Sequence, residues 1–159
     1  MKVLNIHERI IDQPVSKVSA QFLSLAKKDD KIWPIEQWPP MRFRDGLKEG
    51  AVGGHGPIRY KVIQYDPLSS VTFQFQKPHG FNGIHTLAFE EMSDTSTLLR
   101  HTIDMHTSGL GTVLWIVGIR WLHDALIEDA FDKVENQLTQ SHKKTRWNVW
   151  VRFLRVILK

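Results

Sequence analysis

The stretch FNGIHTLAFEEMSDTSTLLRHTIDMH, residues 81–106, decides the fold. Apolar and polar residues alternate on both sides of the polar segment 93–96. Alternation with a period of two is typical of strands that bury one face, and a short polar segment between two such runs is typical of a hairpin. The stretch therefore predicts two antiparallel strands, 81–90 and 98–106.

The segments before this hairpin extend it. Residues 58–65 and 71–76 read as two more strands, and Asp66-Pro67-Leu68-Ser69 between them has proline at the second position of a turn. Four consecutive strands joined by short turns predict an antiparallel meander. Still earlier, glycines between 46 and 56 indicate turns and bulges, 41–43 a short strand, and the prolines of 31–40 an irregular loop.

The chain begins with a predicted strand, 2–11, and a helix of about 12 residues that starts near Pro14. On the strand, Leu4, Ile6 and Ile10 share one face, whereas Asn5, His7 and Arg9 share the other. Glu8 shares the apolar face. There it either partners Arg59 or a polar group of the interior, or lies at a solvated strand end, which is the favoured interpretation.

After the hairpin, a long helical pattern runs from about 108 to 140. Its second half is amphipathic, with Ile127, Phe131, Val134 and Leu138 on one face. Its first half, 110–122, is apolar nearly all round and is expected to be covered on more than one side. This apolar stretch is about 13 residues long, whereas a membrane span needs roughly 20, so a buried helix is predicted.

This order of elements resembles the SRPBCC superfamily, which is also called START-like or birch-pollen-allergen-like, and its polyketide cyclase/dehydrase-like branch. The resemblance rests on the corner at Asp12-Gln13-Pro14, on the hairpin 56–67, and on the segments 83–89 and 98–103. It implies an α+β helix-grip fold, in which a curved antiparallel sheet of about six to seven strands wraps around a long C-terminal helix. It also implies a cavity for lipids, polyketides, sterols or hormones, but no particular reaction.

Composition narrows the classes of function. The 159 residues are predicted to form one helix-grip domain, 1–140, and a tail, 141–159. The tail carries six basic residues and no acid, and the net charge is +4, so the body is slightly acidic and no nucleic-acid partner is expected. The absence of cysteine and of an apolar leader predicts a cytoplasmic protein, membrane-associated if the tail binds lipid.

Two histidines are the main candidates for chemistry. In the predicted strand 81–89, His85 and Leu87 lie at the alternate positions that are mainly apolar, and His101 and Ile103 do so in the next strand. All four are therefore expected to face inward. A hairpin centred near Asp94 pairs Leu87 with His101 and Ile103 with His85, which makes the histidines diagonal neighbours. They are candidate ligand contacts or general bases; the alternative is that each is a core histidine satisfied by a hydroxyl or water.

Five aromatic residues are candidates for shaping a ligand pocket, and the alternative for each is ordinary core packing. They are Trp33, Trp38, Tyr60, Phe73 and Phe75. The two tryptophans are expected at the cavity mouth, because an irregular loop is rarely deeply buried. No metal site is predicted, since no cluster of histidines has ligand spacing, and no cofactor or nucleophile is expected.

The tail combines Trp147, Trp150, Val151, Leu154 and Leu158 on one helical face with basic residues on the other. Such a helix can lie on anionic lipid. Docking on the protein's own body, docking on a second subunit to make a homodimer, and disorder are the alternatives that stay open.

The leading functional prediction is binding, and potentially transport, of an apolar small molecule or lipid in the internal cavity. One alternative is a cyclase or dehydratase that uses His85 or His101 as its general base, so the sequence leaves open whether the protein is an enzyme. The other alternative is an adaptor at the membrane surface that acts through residues 141–159.

Overall fold

The alternating segments form a single seven-stranded antiparallel sheet in the computed structural model, which describes residues 1–158. The strands are β1 (Lys2–Ile11), β2 (Arg42–Phe43), β3 (Val52–His55), β4 (Ile58–Asp66), β5 (Ser70–Lys77), β6 (Phe81–Ser93) and β7 (Ser96–Thr107). Their order across the sheet is β1-β7-β6-β5-β4-β3-β2, so β1 and β2 form the edges. The predicted helix-grip architecture is confirmed, and the glycine-rich region contributes β3, a strand that the sequence pattern did not indicate.

Within residues 1–158 three helices accompany the sheet: α1 (Val15–Phe22), the long helix α2 (Leu110–Thr139) and, in the tail, α3 (Val149–Ile157). A π-helical turn, Trp115–Ile119, interrupts α2. Helix α1 has 8 residues rather than the expected 12, because the chain leaves it to form turns that end at Asp30. The Asp30 carboxylate accepts hydrogen bonds from the backbone N–H groups of Ala26, Ile32 and Trp33, which fixes the start of the proline-containing loop.

The β6–β7 hairpin has the predicted register. Leu87 lies opposite His101, and His85 lies opposite Ile103. All four side chains are buried. The inner face of the sheet therefore carries both histidines, as the alternation in the sequence indicates.

The orientation of β1 is set by charge rather than by hydrophobicity. Leu4, Ile6 and Ile10 lie exposed on the outer face of the sheet, while the polar side chains on the other face of β1 meet α2. On that inner face Arg9 pairs with Glu128, Asp132 and Glu135 of α2 at 2.7–3.0 Å. Because α2 presents acidic side chains to β1, the polar face of β1 packs against α2. The apolar face of β1 therefore points away from α2, to the outside of the sheet.

Glu8 consequently lies on the outer face of β1. Its carboxylate accepts a hydrogen bond from Arg100 Nε at 2.6 Å, on the neighbouring strand β7. Arg59, the other partner considered for Glu8, donates to the backbone carbonyls of Gly56 and Ile58. The interpretation of Glu8 as a solvated residue fits this arrangement, and its interaction with the interior does not.

The expectation that the first half of α2 is covered on more than one side is wrong. Only Gly111 and Trp115 of residues 110–121 are buried, and they pack toward the sheet and the turn before β6. The opposite side of this half-helix is exposed, because the tail helix reaches it through little more than Trp150, whose Nε1 donates to the carbonyl of Val117 at 2.8 Å.

Candidate functional site

The space between the sheet and α2 is filled by aromatic rings. At its centre the imidazole of His85 stacks between Phe73 and Phe75, with ring centroids 4.7 and 4.8 Å away. Tyr60 meets the same imidazole edge-on at 4.8 Å. These side chains come from β4, β5 and β6, whose inward-facing positions alternate with solvated ones. The sequence left open whether this region is an open cavity; aromatic side chains occupy its centre.

Five histidines cross the interior from β1, at one edge of the sheet, to β3, the strand next to the other edge, and we call them the histidine row. They are His55 on β3, His85 on β6, His101 on β7, His123 on α2 and His7 on β1. The ring centroids of His85 and His101 are 5.6 Å apart, those of His101 and His123 4.9 Å, and those of His123 and His7 5.7 Å. Tyr60 bridges His55 to the rest, since its hydroxyl lies 3.1 Å from His55 Nδ1.

One end of the row is charged. His7 Nε2 lies 3.1 Å from Asp124 Oδ1, and His7 Nδ1 lies 2.8 Å from Glu128 Oε1. Burial acts to lower the pKa of His7, but the two carboxylates outweigh burial and raise that pKa to about 9. At neutral pH His7 is therefore an imidazolium that donates from both ring nitrogens.

The remainder of the row is uncharged at neutral pH. Burial lowers the pKa of His55 to about 3, and it lowers the pKa values of His85 and His101 well below the ordinary value of 6.5. Burial also lowers the pKa of His123, although its hydrogen bond to Asp124 opposes that effect. Each neutral imidazole offers one donor and one acceptor nitrogen, so the interior can hydrogen-bond to either kind of group.

Three fully buried nitrogens of the row have no hydrogen-bond partner among residues 1–158. They are His85 Nε2, His101 Nδ1 and His123 Nε2, and each is buried. Buried polar atoms in folded proteins nearly always have a partner, so three such atoms in one row need an explanation. Since His85 neighbours His101 and His101 neighbours His123, a polar group placed among them could satisfy more than one.

His123 is held by a carboxylate. Its Nδ1 lies 3.3 Å from Asp124 Oδ1, which leaves Nε2 as its unpartnered nitrogen. Burial acts to raise the pKa of Asp124, but hydrogen bonds to His123 and His7 hold that pKa well below its usual range. A carboxylate that fixes one imidazole nitrogen and leaves the other free is the arrangement of an oriented general base.

The same residues have the spacing of a metal site. His7, His123 and Asp124 each offer one ligand atom, and these atoms lie within 4.8 Å of one another. Their mutual hydrogen bonds account for this arrangement without an ion. That no metal is bound remains a prediction from the sequence.

The structure brings most of the predicted site residues together, and Ile103 and Trp38 lie apart from the others. Tyr60, Phe73, Phe75, His85 and His101 form one cluster, and Trp33 extends it through ring contact with His55 at 4.7 Å. Leu87 is buried beside this cluster, whereas Ile103 belongs to a second group of buried residues around Trp115. Trp38 belongs to the same buried core as Tyr60 and Phe73, but it makes no ring contact with the cluster around His85.

Trp38 packs on a different side of α2. Its Nε1 donates to Asp129 Oδ2 at 2.7 Å, its ring centroid is 5.5 Å from that of Trp147, and the Arg155 guanidinium stacks over it at 4.4 Å. Trp33 and Trp38 are both buried, so the assumption that their irregular loop is not deeply buried is wrong, and their place at a cavity mouth stays a prediction. Their indole N–H groups have carbonyl or carboxylate partners, which removes the cost of burial.

Sequence reasoning missed three members of the row. His123 lies four residues before Ile127 on the face that also carries Phe131, so extending that apolar stripe by one turn would have found it. His7 has no such signal, because the polar face of an edge strand reads as solvated. His55 sits in the glycine-rich segment 53–56, where no alternation marks an inner face.

Two surface grooves, of about 660 and 730 Å³, lie away from the histidine row. The first runs between the loop around Pro34 and the second half of α2, and the second lies beside Trp147 and Arg152 in the tail. Neither is lined by a predicted site residue. The row, and not a groove, is therefore the candidate site.

Solved structures with the same architecture include two proteins known by name. Norcoclaurine synthase from Thalictrum flavum, solved in complex with dopamine and hydroxybenzaldehyde, is 13% identical over 91% of this chain and 90% of its own, with a TM-score of 0.65. CalU16 from Micromonospora echinospora is 17% identical over 99% of this chain and 92% of its own, with a TM-score of 0.58.

A protein from Nitrosospira multiformis is similar to the same degree, with 13% identity over 86% of this chain and a TM-score of 0.64. It is covered over 97% of its own length. No family model and no curated protein sequence matches the chain. The structural likeness confirms the predicted helix-grip fold.

Proposed function

We propose, from the helix-grip fold that this chain shares with norcoclaurine synthase and CalU16, that it binds a small apolar molecule between the sheet and α2. The ligand would carry an aromatic or similarly flat apolar part and at least one hydroxyl or carbonyl group. The observation that supports this most directly is the set of unpartnered nitrogens on His85, His101 and His123 within an aromatic interior.

The physical argument has two parts. Burial of the ligand's apolar surface against Phe73 and Phe75 drives binding, at roughly 25 cal/mol per Å². The neutral imidazoles then select for polarity, because a ligand hydroxyl that hydrogen-bonds to His85 or His101 gains about 0.5–1.5 kcal/mol over a ligand without one. Since His85 and His101 stay uncharged at neutral pH, a neutral ligand fits this interior better than an anion.

A ligand must displace side chains to enter, and α2 is the element best placed to move. The π-helical turn Trp115–Ile119 lies where α2 passes the row, and π-helical turns often occur at functional sites. Only Gly111 and Trp115 of residues 110–121 are buried, so few apolar contacts hold this half of the helix on the sheet.

The test compares 2-naphthol with naphthalene in equilibrium dialysis at pH 7, because the two probes differ by one hydroxyl. The expected result is that 2-naphthol binds roughly 2- to 10-fold more tightly, and that His101→Leu removes this preference. His106→Leu is the matched control, since His106 lies exposed on the same strand. Binding of neither probe, or a preference that survives in both His101→Leu and His85→Phe, would contradict the proposal.

A second candidate function, catalysis, is favoured by the Asp124–His123 pair. We infer that His123 Nε2 could accept a proton from a bound substrate while Asp124 stabilises the resulting imidazolium. His85 and His101, the bases considered from sequence, lack such a carboxylate. Dopamine and hydroxybenzaldehyde, the compounds bound to the structural neighbour, are a first probe pair. Enzyme-dependent consumption that is lost in His123→Gln would support catalysis, and no consumption above the protein-free rate would count against this pair as substrates.

A further inference from the structure

The first half of α2 exposes a stripe of large apolar side chains. Arg120 is the single charged residue between 110 and 121. The helix is long and apolar enough to cross a membrane by length and composition, and only 22% of its most apolar stretch is buried in the protein. The exposed side chains are Leu110, Val113, Leu114, Ile116, Val117 and Trp121.

The tail helix α3 adds a second exposed apolar face beside the first. Val151 and Leu154 are buried against the body, and Asn148 caps the helix by accepting a hydrogen bond from the backbone N–H of Val151. The outward face is also apolar and comprises Val149, Trp150, Phe153, Val156, Ile157 and Leu158. Helix α3 is thus docked on its own body and still presents an apolar side to its surroundings.

Trp150 joins the two faces, because its indole N–H donates to the carbonyl of Val117. Trp121 similarly donates to the carbonyl of Ile116 at 3.0 Å. The polar atoms of both indoles are satisfied within the protein. We call the twelve exposed side chains on α2 and α3 the two-helix surface. An exposed apolar patch of this extent marks an interaction site.

The charges around this surface favour one kind of partner. Within 141–158 there are five basic residues, Lys143, Lys144, Arg146, Arg152 and Arg155, and no acid. Lys143 pairs with Glu135 and the Arg155 guanidinium stacks over Trp38, so the positive charge of the tail that is available to a partner comes from Lys144, Arg146 and Arg152. Arg120 adds a further positive charge on α2. In a two-fold dimer made through this surface, basic residues would face basic residues, which is unfavourable. An anionic lipid surface, by contrast, accepts both the apolar side chains and the surrounding positive charge.

The second half of α2 argues against insertion across the bilayer. His7 and Arg9 of β1 pair there with four acids of α2, namely Asp124, Glu128, Asp132 and Glu135. Moving this half of α2 away from β1 would leave several buried charges unpaired. The apolar half-helix can reach lipid while the acidic half stays on the sheet. The geometry therefore corresponds to a protein that lies on the membrane surface.

We propose that the two-helix surface binds peripherally to membranes that contain anionic lipid. The test is flotation of the full chain with vesicles of phosphatidylcholine alone or with 30% phosphatidylserine, at 0.1 and 0.5 M NaCl. The expected result is binding to the phosphatidylserine vesicles that weakens at 0.5 M NaCl. The double variant Phe153→Gln/Val156→Gln should reduce that binding at least ten-fold.

The matched control is Leu4→Gln/Ile6→Gln, which removes equally exposed apolar side chains from the outer face of β1 and should leave binding unchanged. All the altered side chains are on the surface, and circular dichroism verifies the fold. Failure to bind phosphatidylserine vesicles, equal binding without phosphatidylserine, or equal loss in the control would overturn the proposal. A dimer in sedimentation velocity that Phe153→Gln/Val156→Gln abolishes would assign the surface to a second copy instead. The naphthol test reports on the interior, so the two proposals can fail separately.

Discussion

Replacing His7 by glutamine should change how the stability of the protein depends on alkaline pH. His7 is held between Asp124 and Glu128, and its pKa is raised from 6.5 to about 9. Because the folded-state pKa lies above the unfolded value, the stabilisation is fully present below pH 6.5 and is lost as the pH rises through about 9. A rise from 6.5 to about 9 corresponds to about 3 kcal/mol. The His7 side chain is 13% exposed, so solvent screens this contribution little.

The neighbouring groups titrate outside this range or act in the opposite direction. The pKa values of Asp124 and Glu128 are lowered, so their contribution is present above about pH 4 and does not change between pH 6.5 and 9.5. The pKa values of His85 and His101 are lowered, so their burial costs stability only as the pH falls below 6.5. The alkaline loss is therefore specific to His7.

Urea denaturation at pH 6.5, 7.5, 8.5 and 9.5 measures the effect. We expect the free energy of unfolding of the unaltered protein to fall by about 2–3 kcal/mol over this range, and that of His7→Gln to stay nearly flat. His106→Gln, at an exposed position of β7, should keep the full pH dependence. If His7→Gln has the same alkaline slope as the unaltered protein, the assignment of the charged end of the row is refuted.

Two further substitutions test the packing of α2 on the sheet. Arg9→Met should lower the free energy of unfolding by about 3–5 kcal/mol in urea, because it takes the guanidinium away from the buried Asp132 and Glu135 and leaves them only Thr145 N–H and Lys143. Arg100→Met, in an exposed pair, should have no measurable effect. Gly80→Ala should lower the free energy of unfolding by about 1–3 kcal/mol. The reason is that Gly80 has φ +90° and that a Cβ there would lie 2.3 Å from the carbonyl oxygen of Ser108. Gly118→Ala, whose Cβ would meet nothing within 4 Å, should be neutral or stabilising; equal effects of the two glycine variants in thermal unfolding would contradict this account.

The fold was predictable because its determinants are local in sequence. The β6–β7 register follows from the position of the polar turn and from the need to bury one parity of each strand. His85 and His101 could be assigned to the inner face for the same reason, before any long-range contact was known. The aromatic residues Tyr60, Phe73 and Phe75 follow the same alternation on β4 and β5.

The rest depends on contacts between distant segments. The inner face of β1 is polar because Arg9 meets acids more than 119 residues later in the chain, and no local pattern reveals that match. Trp38 donates a hydrogen bond to Asp129, 91 residues later in the chain, and so does not pack against the rings around His85. The exposure of residues 110–121 of α2 could not be predicted either, because it depends on how much of this half-helix the tail helix covers, and no local pattern indicates that.

The pairing of β1 with β7 also determines when the sheet can be completed. Lys2 lies opposite His106 and Ile11 lies opposite Thr97. The residues of β7 that pair with β1 are therefore synthesised about 86–104 residues after their partners. At about 5–20 residues per second, this interval lasts roughly 5–20 s during synthesis. Throughout it the apolar segment with Leu4, Ile6 and Ile10 has no partner strand and its backbone groups are unpaired, which is the kind of segment that associates with other chains. Closure of this edge is a non-local event, so it should limit the folding rate and make newly made chains depend on chaperones.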